Sequence, residues 1–403
     1  MEHTPQRHGI EAHRLHFSGT GGEYFRVWIV NVLLSVVTLG LYTPWARRRT
    51  ARYFFDHTQV AGSPLEFTAP LRKMVFSFIL FVLLYAAFNI ASETGQTTAV
   101  SLFILAAALL APYIWGSAMR FRLASTRWRG LQLNFSASWK EVYLASWPIF
   151  VMALLWLGIN YALEAMAPVP ATPPSDDAPG SPLAHVTPGM WGLIALGVLL
   201  SLLCIVRIEF NYRSLLVLRG GIGEQRGRWK PVYADFVRIW LATIGLFLAV
   251  VVVLVAVLAL VFGGTVALAA QGRGGPGMMA LFIAAFIGAF VLMIAASAPA
   301  RAYREARMFQ LIWNNVGLSQ IARFKTRLQP WAYVRLRIRN VLLTLLTLGL
   351  YRPFARVSEY RMKVDSVTLH VKGGLDQLVG QLNRQQQALG DALADVAGLD
   401  LIG

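Results

Sequence analysis

The chain predicts an all-α, multi-pass membrane protein: a helical bundle of six spanning helices and two broken helices that either re-enter or span, with short cytoplasmic β connections. Of its 403 residues 56% are hydrophobic and only 14% are charged, a balance foreign to soluble globular domains. Mean hydropathy is +0.53. Six apolar stretches approach the ~20 residues that a spanning helix requires.

The N-terminal polar segment, residues 1–23, holds four of the seven histidines, His3, His8, His13 and His16. Such clustering can ligate zinc or nickel, but no ordered carboxylates accompany it, so neither metal nor cofactor is expected. The segment lacks the apolar core of a cleavable signal peptide, and the first hydrophobic helix is expected to direct its own insertion. His13 to Gly21, HRLHFSGTG, reads as a strand leading into a glycine-rich turn. Gly19-Thr20-Gly21-Gly22 ahead of a helix can cradle a phosphate. No Gly-Lys-Ser/Thr follows, which favours a plain strand-to-helix turn.

The membrane domain is expected over residues 24–374. Its spans are Met74 to Ser92, Thr98 to Met119, Val142 to Met166, Met190 to Ile208, Phe236 to Phe262 and Met278 to Pro299. Between them 27 of the 37 Lys and Arg fall in four loops: Pro44–Lys73, Arg120–Glu141, Arg207–Arg238 and Arg301–Arg339. The alternate loops hold one basic residue, Arg273. By the positive-inside rule the basic loops are cytoplasmic, as are both termini. The net charge of +17 is thus explained by orientation and by contact with anionic lipid headgroups. Nucleic acid is not an expected partner, because no RRM signature or zinc finger is present.

A repeat flanks this domain. Asn31 to Arg47 (31–47) reads NVLLSVVTLGLYTPWAR, Asn340 to Arg356 (340–356) reads NVLLTLLTLGLYRPFAR, and 12 of 17 positions are identical. In the second copy arginines confine the apolar run to 12 residues, Asn340 to Tyr351, or ~18 Å against a hydrocarbon core of ~30 Å. Both copies then meet Gly-Leu-Tyr-x-Pro, which breaks a helix. Two topologies fit. Re-entrant helices would enter and leave on the cytoplasmic side; alternatively both copies span, giving eight helices. Length favours re-entrance. After each break come short alternating segments starting at Asp56, Ser125, Asn314 and Asp365, which read as strands.

If the broken helices pair, Asn31, Thr38, Gly40, Tyr42 and Pro44 would line a cavity with Asn340, Thr347, Gly349, Tyr351 and Pro353. Arg47, Arg48, Arg49, Arg52, Arg356 and Arg361 would hold headgroups. Tyr42, Trp45, Trp115, Trp147, Tyr351 and Phe354 sit where interfacial aromatics sit. The polar residues inside spans, Asn89, Asn160, Ser201 and Thr243, are neutral, and hydrogen bonds between helices would satisfy them. Cys204 is the only cysteine, so no disulfide or thiolate cluster forms within one chain. Neither H-E-x-x-H nor G-x-S-x-G occurs, and no enzyme activity is expected. The tail, residues 375–403, has apolar residues at helical spacing with few basic residues, and reads either as a helix for a protein groove or as an unbound, fraying helix.

Phe17-Ser18-Gly19-Thr20-Gly21, Glu23-Tyr24-Phe25, Thr38-Leu39-Gly40-Leu41-Tyr42 and Pro44-Trp45-Ala46 together resemble the YjgN family, multi-pass inner-membrane proteins of bacteria. The resemblance runs from about residue 14 to about 370 and implies location in a Gram-negative inner membrane. It brings no activity, cofactor or catalytic residue. Two functions are expected from different classes: binding or transport of a lipid or small amphiphile, or a scaffold recruiting a membrane-associated partner, such as a protease, through its cytoplasmic face.

Overall fold

The computed structural model describes residues 9–166, 187–223, 225–270, 276–318, 322–374 and 379–380. His3, His8, most of the Pro-rich stretch and nearly all of the C-terminal tail lie outside them. Along the chain run β1 (Ile10–Arg14), β2 (His16–Phe17), α1 (Gly21–Val37), α2 (Thr43–Asp56), β3 (Thr58–Val60), β4 (Ser63–Phe67), α3 (Leu71–Glu93) and α4 (Thr97–Ala124). Then follow β5 (Thr126–Trp128), β6 (Leu131–Phe135), α5 (Trp139–Ala145), α6 (Trp147–Met166), α7 (Pro188–Arg219), β7 (Gly220–Ile222) and β8 (Gln225–Arg228). The chain continues through α8 (Tyr233–Ala270), α9 (Pro276–Asn315), β9 (Gly317–Leu318), β10 (Ala322–Thr326), α10 (Pro330–Leu346), α11 (Arg352–Asp365) and β11 (Val367–Lys372).

The strands are more numerous than the sequence suggests. The segments from Asp56 and Ser125 are each two strands rather than one, because a two-residue turn divides them: Val60 pairs with Ser63 and Trp128 with Leu131. The turn residues Ala61-Gly62 and Arg129-Gly130 all have positive φ, the conformation that two-residue hairpins demand. A further pair, β7 and β8, falls where no strand is expected, in a Gly- and Arg-rich run without alternation.

The hydrogen-bonded strand order is β1-β11-β10-β9-β8-β7-β6-β5-β4-β3-β2. Only Leu15 separates β1 from β2 along the chain, and its N–H donates to Val367 O at 3.0 Å. One N-terminal segment therefore supplies both ends of the sheet. Each stretch of helix, moreover, starts and finishes on strands that neighbour each other in this order. The unit is thus a strand, a helical excursion and a returning strand, and it occurs five times among the described residues, not twice as the close repeat alone implies.

By contacts the chain divides into two units. The first holds residues 1–71, 125–133 and 222–403. Its largest core gathers Leu15, Trp128, Leu131, Ala322, Val367, Leu369 and Val371, one face of strands far apart in sequence, which requires the sheet to curve. Phe309 and Trp313 from the end of α9 pack onto this core.

The second unit holds residues 72–124 and 134–221. Here Ser138 and Glu141 form a capping box at the start of α5, and Trp115 stacks on Tyr212 at 4.0 Å. Gly197 of α7 lies so close to Ile159 of α6 that a Cβ would fall 2.3 Å from its Cδ1.

Among the described residues five helices are long and apolar enough to cross a membrane: α3, α4, α6, α7 and α8 within Tyr233–Ala256. In their apolar windows at most 17% of residues are buried, as lipid-facing surfaces require. The expected span Val142 to Met166 is not one helix, since Ser146 ends α5 and Pro148, lacking an N–H, allows α6 to start anew. Hydrogen bonding inside the spans also departs from expectation. Asn89 and Thr243 donate to carbonyls one turn back in their own helices, and Asn160 donates to the Glu164 carboxylate one turn ahead. Ser201 alone of the four is joined across helices, accepting from Trp156 Nε1 at 2.9 Å.

Candidate functional site: two helical hairpins

Each copy of the repeat folds as two antiparallel helices joined by a tight turn. β2 and β3, which flank the first hairpin, pair with each other, as do β10 and β11 around the second. Each hairpin leaves one sheet and returns to it, so neither copy is one continuous helix. At 17 residues, α1 reaches only ~26 Å.

The two turns are the same to the hydrogen bond. Leu39 and Gly40 have φ of 49° and 90°; Leu348 and Gly349 have 50° and 95°. Gly40 N–H reaches Ser35 O and Gly349 N–H reaches Thr344 O, both at 2.7 Å, while Leu39 and Leu348 donate three residues back. This is a Schellman closure. A Cβ at either glycine would meet nothing within 4 Å, so glycine is required there for its φ and not for space. Thr38 Oγ1 donates to Leu34 O and accepts Tyr42 N–H; Thr347 Oγ1 donates to Leu343 O and accepts Tyr351 N–H. Every N–H from Thr38 to Thr43, and from Thr347 to Arg352, therefore has a partner. Pro44 and Pro353 sit buried in the first turn of the returning helices, where no N–H is needed.

The asparagines fasten each hairpin. Asn31 Nδ2 donates to Ala46 O at 3.3 Å, and Asn340 Nδ2 to Ala355 O at 3.3 Å and Glu359 Oε1 at 3.0 Å. They are 6% and 1% exposed, and their place is between the two helices of one hairpin. Tyr42 stacks on Trp45 and Tyr351 on Phe354, each within its own hairpin. What the tips present outward is apolar: Leu39 is 93% and Leu348 95% exposed, flanked by exposed Val37, Leu41, Leu346 and Leu350.

At the base the hairpins meet through residues whose role the sequence alone does not disclose. Phe17, Tyr24, Tyr53, Phe54 and Val357 form one core. Gly19 and Gly21 let it close, because a Cβ would stand 2.7 Å from the Phe17 ring and 2.5 Å from the Phe354 ring. Arg356 donates to Tyr24 Oη at 3.1 Å, and Arg361 donates to Gly19 O at 2.6 Å. These two arginines clamp the second hairpin to the first. Their counterparts in the first copy, Arg47 and Arg52, are exposed, as is Arg49, which donates to Tyr42 Oη; Arg48 is half-buried.

The glycine-rich turn is capped from within. Thr20 Oγ1 accepts Glu23 N–H and the Glu23 carboxylate accepts Thr20 N–H. That carboxylate occupies the place an anion would take, and the Thr20 N–H and hydroxyl hold its pKa below the ordinary range. Burial first, and Glu23 second, push Tyr53 up to about 12, so its hydroxyl stays a donor, to Thr20 O at 2.8 Å.

The second hairpin also carries charge that the first lacks. Arg337 pairs with buried Glu359 and with Glu305 of α9, and Lys363 Nζ bonds Glu305 at 2.6 Å. In the first copy Trp28 and Thr50 occupy the positions of Arg337 and Glu359. That two-position difference between the copies is the signal in the sequence for this network. Among the described residues no cluster of three or more His, Cys, Asp or Glu is placed to hold a metal ion.

Apolar helices long enough to cross a membrane, together with hairpins whose ends return to one sheet, define a multi-pass helical membrane protein. The chain belongs to the family described as bacterial protein of unknown function DUF898, which it matches over residues 12–396. It is 28% identical over 146 residues, 36% of each chain, to the inner membrane protein YjgN of Escherichia coli O157:H7. With that of strain K12 it shares 22% over 189 residues, 47% of this chain and 46% of the other. With that of Salmonella typhimurium LT2 it shares 28% over 148 residues, 36% and 37% respectively. The matches thus span less than half of these relatives' own length. No solved structure matches the chain.

Proposed function

We propose that this protein is a non-enzymatic lipid-binding protein of the inner membrane, whose paired hairpins dip into the cytoplasmic leaflet and engage acyl chains with their tips. The observation that carries this is the pair of tips that satisfy their own backbone while exposing leucine. In hydrocarbon an unpaired N–H costs several kcal/mol, and these turns leave none from Thr38 to Thr43 or from Thr347 to Arg352. Burying each exposed tip leucine in lipid would return about 2 kcal/mol. Below the tips Arg47, Arg49 and Arg52 lie exposed where headgroups would meet them.

In this reading α9 is a sixth crossing, the sheet and both termini face the cytoplasm, and the hairpins bind rather than conduct. The apolar packing of Trp128, Leu131 and Val371 inside the sheet supports binding over passage.

A photoactivatable phospholipid with a diazirine on its acyl chain tests the proposal in reconstituted vesicles. Adducts are expected on peptides covering residues 36–42 and 345–351. Labelling confined to the spanning helices would sink it.

A further inference from the structure

A second feature, remote in sequence from the hairpin tips, points to a ligand. Where the start of α8 passes the end of α9, the described residues line an open cleft of about 400 Å³, within the range of small-ligand sites. Arg238 from α8 and Arg307 from α9 both line it, with Asp235 and Asn314. Both guanidinium groups are exposed, the Arg238 side chain at 79%, so an anion from solution or from the lipid surface can reach them. The acid in the lining is Asp235, 3.4 Å from Arg238. Arg307 has neutral company: Gln310 Oε1 at 3.4 Å and the Tyr303 ring at 5.9 Å. Asn314 spends its Oδ1 on Thr326 N–H, which leaves its amide N–H groups as donors. With Arg238 and Arg307 positive and Asp235 negative, the lining carries a net +1 and a surplus of donors.

The surroundings say what kind of anion suits it. Ile239 and Leu311 form an apolar wall, and from Leu241 onward α8 exposes Leu248, Val252, Val253 and Val255. Trp240 lies 4.4 Å beneath Arg304, an aromatic and a cation of the kind that mark a membrane interface. The cleft stands at the junction of a charged zone and a lipid-facing helix. Basic pockets in that position bind anionic headgroups.

We infer that the α8–α9 cleft binds the phosphodiester of an anionic glycerophospholipid, with Arg238 and Arg307 holding the phosphate and the acyl chains lying along α8. The site does not depend on the lipid reading of the hairpins, and variants at the tips leave it intact.

The full chain, purified in a non-ionic detergent, is titrated with phosphatidylglycerol and with phosphatidylethanolamine while native mass spectrometry counts bound lipid. The wild type is expected to prefer phosphatidylglycerol by about tenfold, and R238Q/R307Q to lose that preference, since charge-assisted bonds to phosphate are the strong ones. D235N removes the competing carboxylate and is expected to raise phosphatidylglycerol binding by about twofold or more; a folding defect would not produce a gain. Equal binding of the two lipids, an unchanged R238Q/R307Q, or a loss in D235N would each overturn the assignment. Inorganic phosphate is titrated alone in parallel. Failure of phosphate to raise the thermal midpoint supports a lipid source; protection by phosphate equal to that by phosphatidylglycerol would overturn it in favour of a soluble phosphate compound.

Discussion

Leu39 and Leu348 hold a left-handed backbone that costs a leucine about 1–2 kcal/mol, yet both are almost wholly exposed. A turn selected for stability in water would have glycine or asparagine there. Replacing both by glycine is therefore expected to leave the unfolding midpoint in detergent unchanged or raised, while acyl-chain photolabelling of the tips falls. The asparagines behave in the opposite way. Asn340→Ala deletes the hydrogen bonds from its amide to Ala355 O, Ser358 Oγ and Glu359 Oε1 while Glu359 keeps Arg337, so a loss of about 1–2 kcal/mol is expected; Asn31→Ala, with weaker bonds, should lose about 1 kcal/mol. Unfolding followed by tryptophan fluorescence reads both. The Thr20, Glu23 and Tyr53 group adds a pH signature. Tyr53 is raised to about 12 in the fold, so its contribution is complete below its ordinary pKa near 10 and is lost as pH climbs toward 12. A wild-type minus Tyr53→Phe titration of tyrosinate absorbance should show one group ionising near pH 12. Glu23 runs the other way, contributing above the usual carboxylate range and losing its effect as pH falls through its lowered pKa.

At the scale of the element, the hairpins divide into what a sequence can disclose and what it cannot. Thr-Leu-Gly-Leu-Tyr-x-Pro discloses the break because its cause is local: glycine for a positive φ, proline for the first turn of a new helix. The destination of Arg356 and Arg361 is tertiary, and the same residues in the first copy, Arg47 and Arg52, face outward. Asn31 and Asn340 read as cavity residues from their polarity in an apolar run, but a tight hairpin brings a bare carbonyl 15 residues on within their reach. The charge network is specific to the second hairpin. Arg337→Trp alone leaves Glu359 buried without its guanidinium and is expected to cost about 3–5 kcal/mol. The double variant R337W/E359T, which installs the residues of the first copy, should recover at least half of that, as measured by a double-mutant cycle.

Across the whole molecule, the order of strands organises the helices. Hydropathy discloses the spans because their signal is long, as in α3, α4 and α7. The sheet stays hidden because strands of two to six residues are too short for alternation to register, and because β1 and β2 are one segment serving two distant partners. Cutting that segment should matter out of proportion to its length. Deleting residues 1–14 removes β1 and exposes the edge of β11, and is expected to lower the yield of monodisperse protein on size-exclusion chromatography more than a comparable deletion from the C-terminal end. The strand pairs that flank each hairpin also give the hairpin reading its firmest footing, since they return the chain to the sheet from which it left. A nitroxide at position 348, attached in a Cys204→Ser background carrying Leu348→Cys, tests that reading most directly in reconstituted vesicles. Power-saturation accessibility should be high to oxygen and low to a water-soluble nickel chelate, placing the tip within the acyl chains. Accessibility to the chelate equal to that of a nitroxide on an exposed loop would put the tip in water and contradict the half-inserted hairpin.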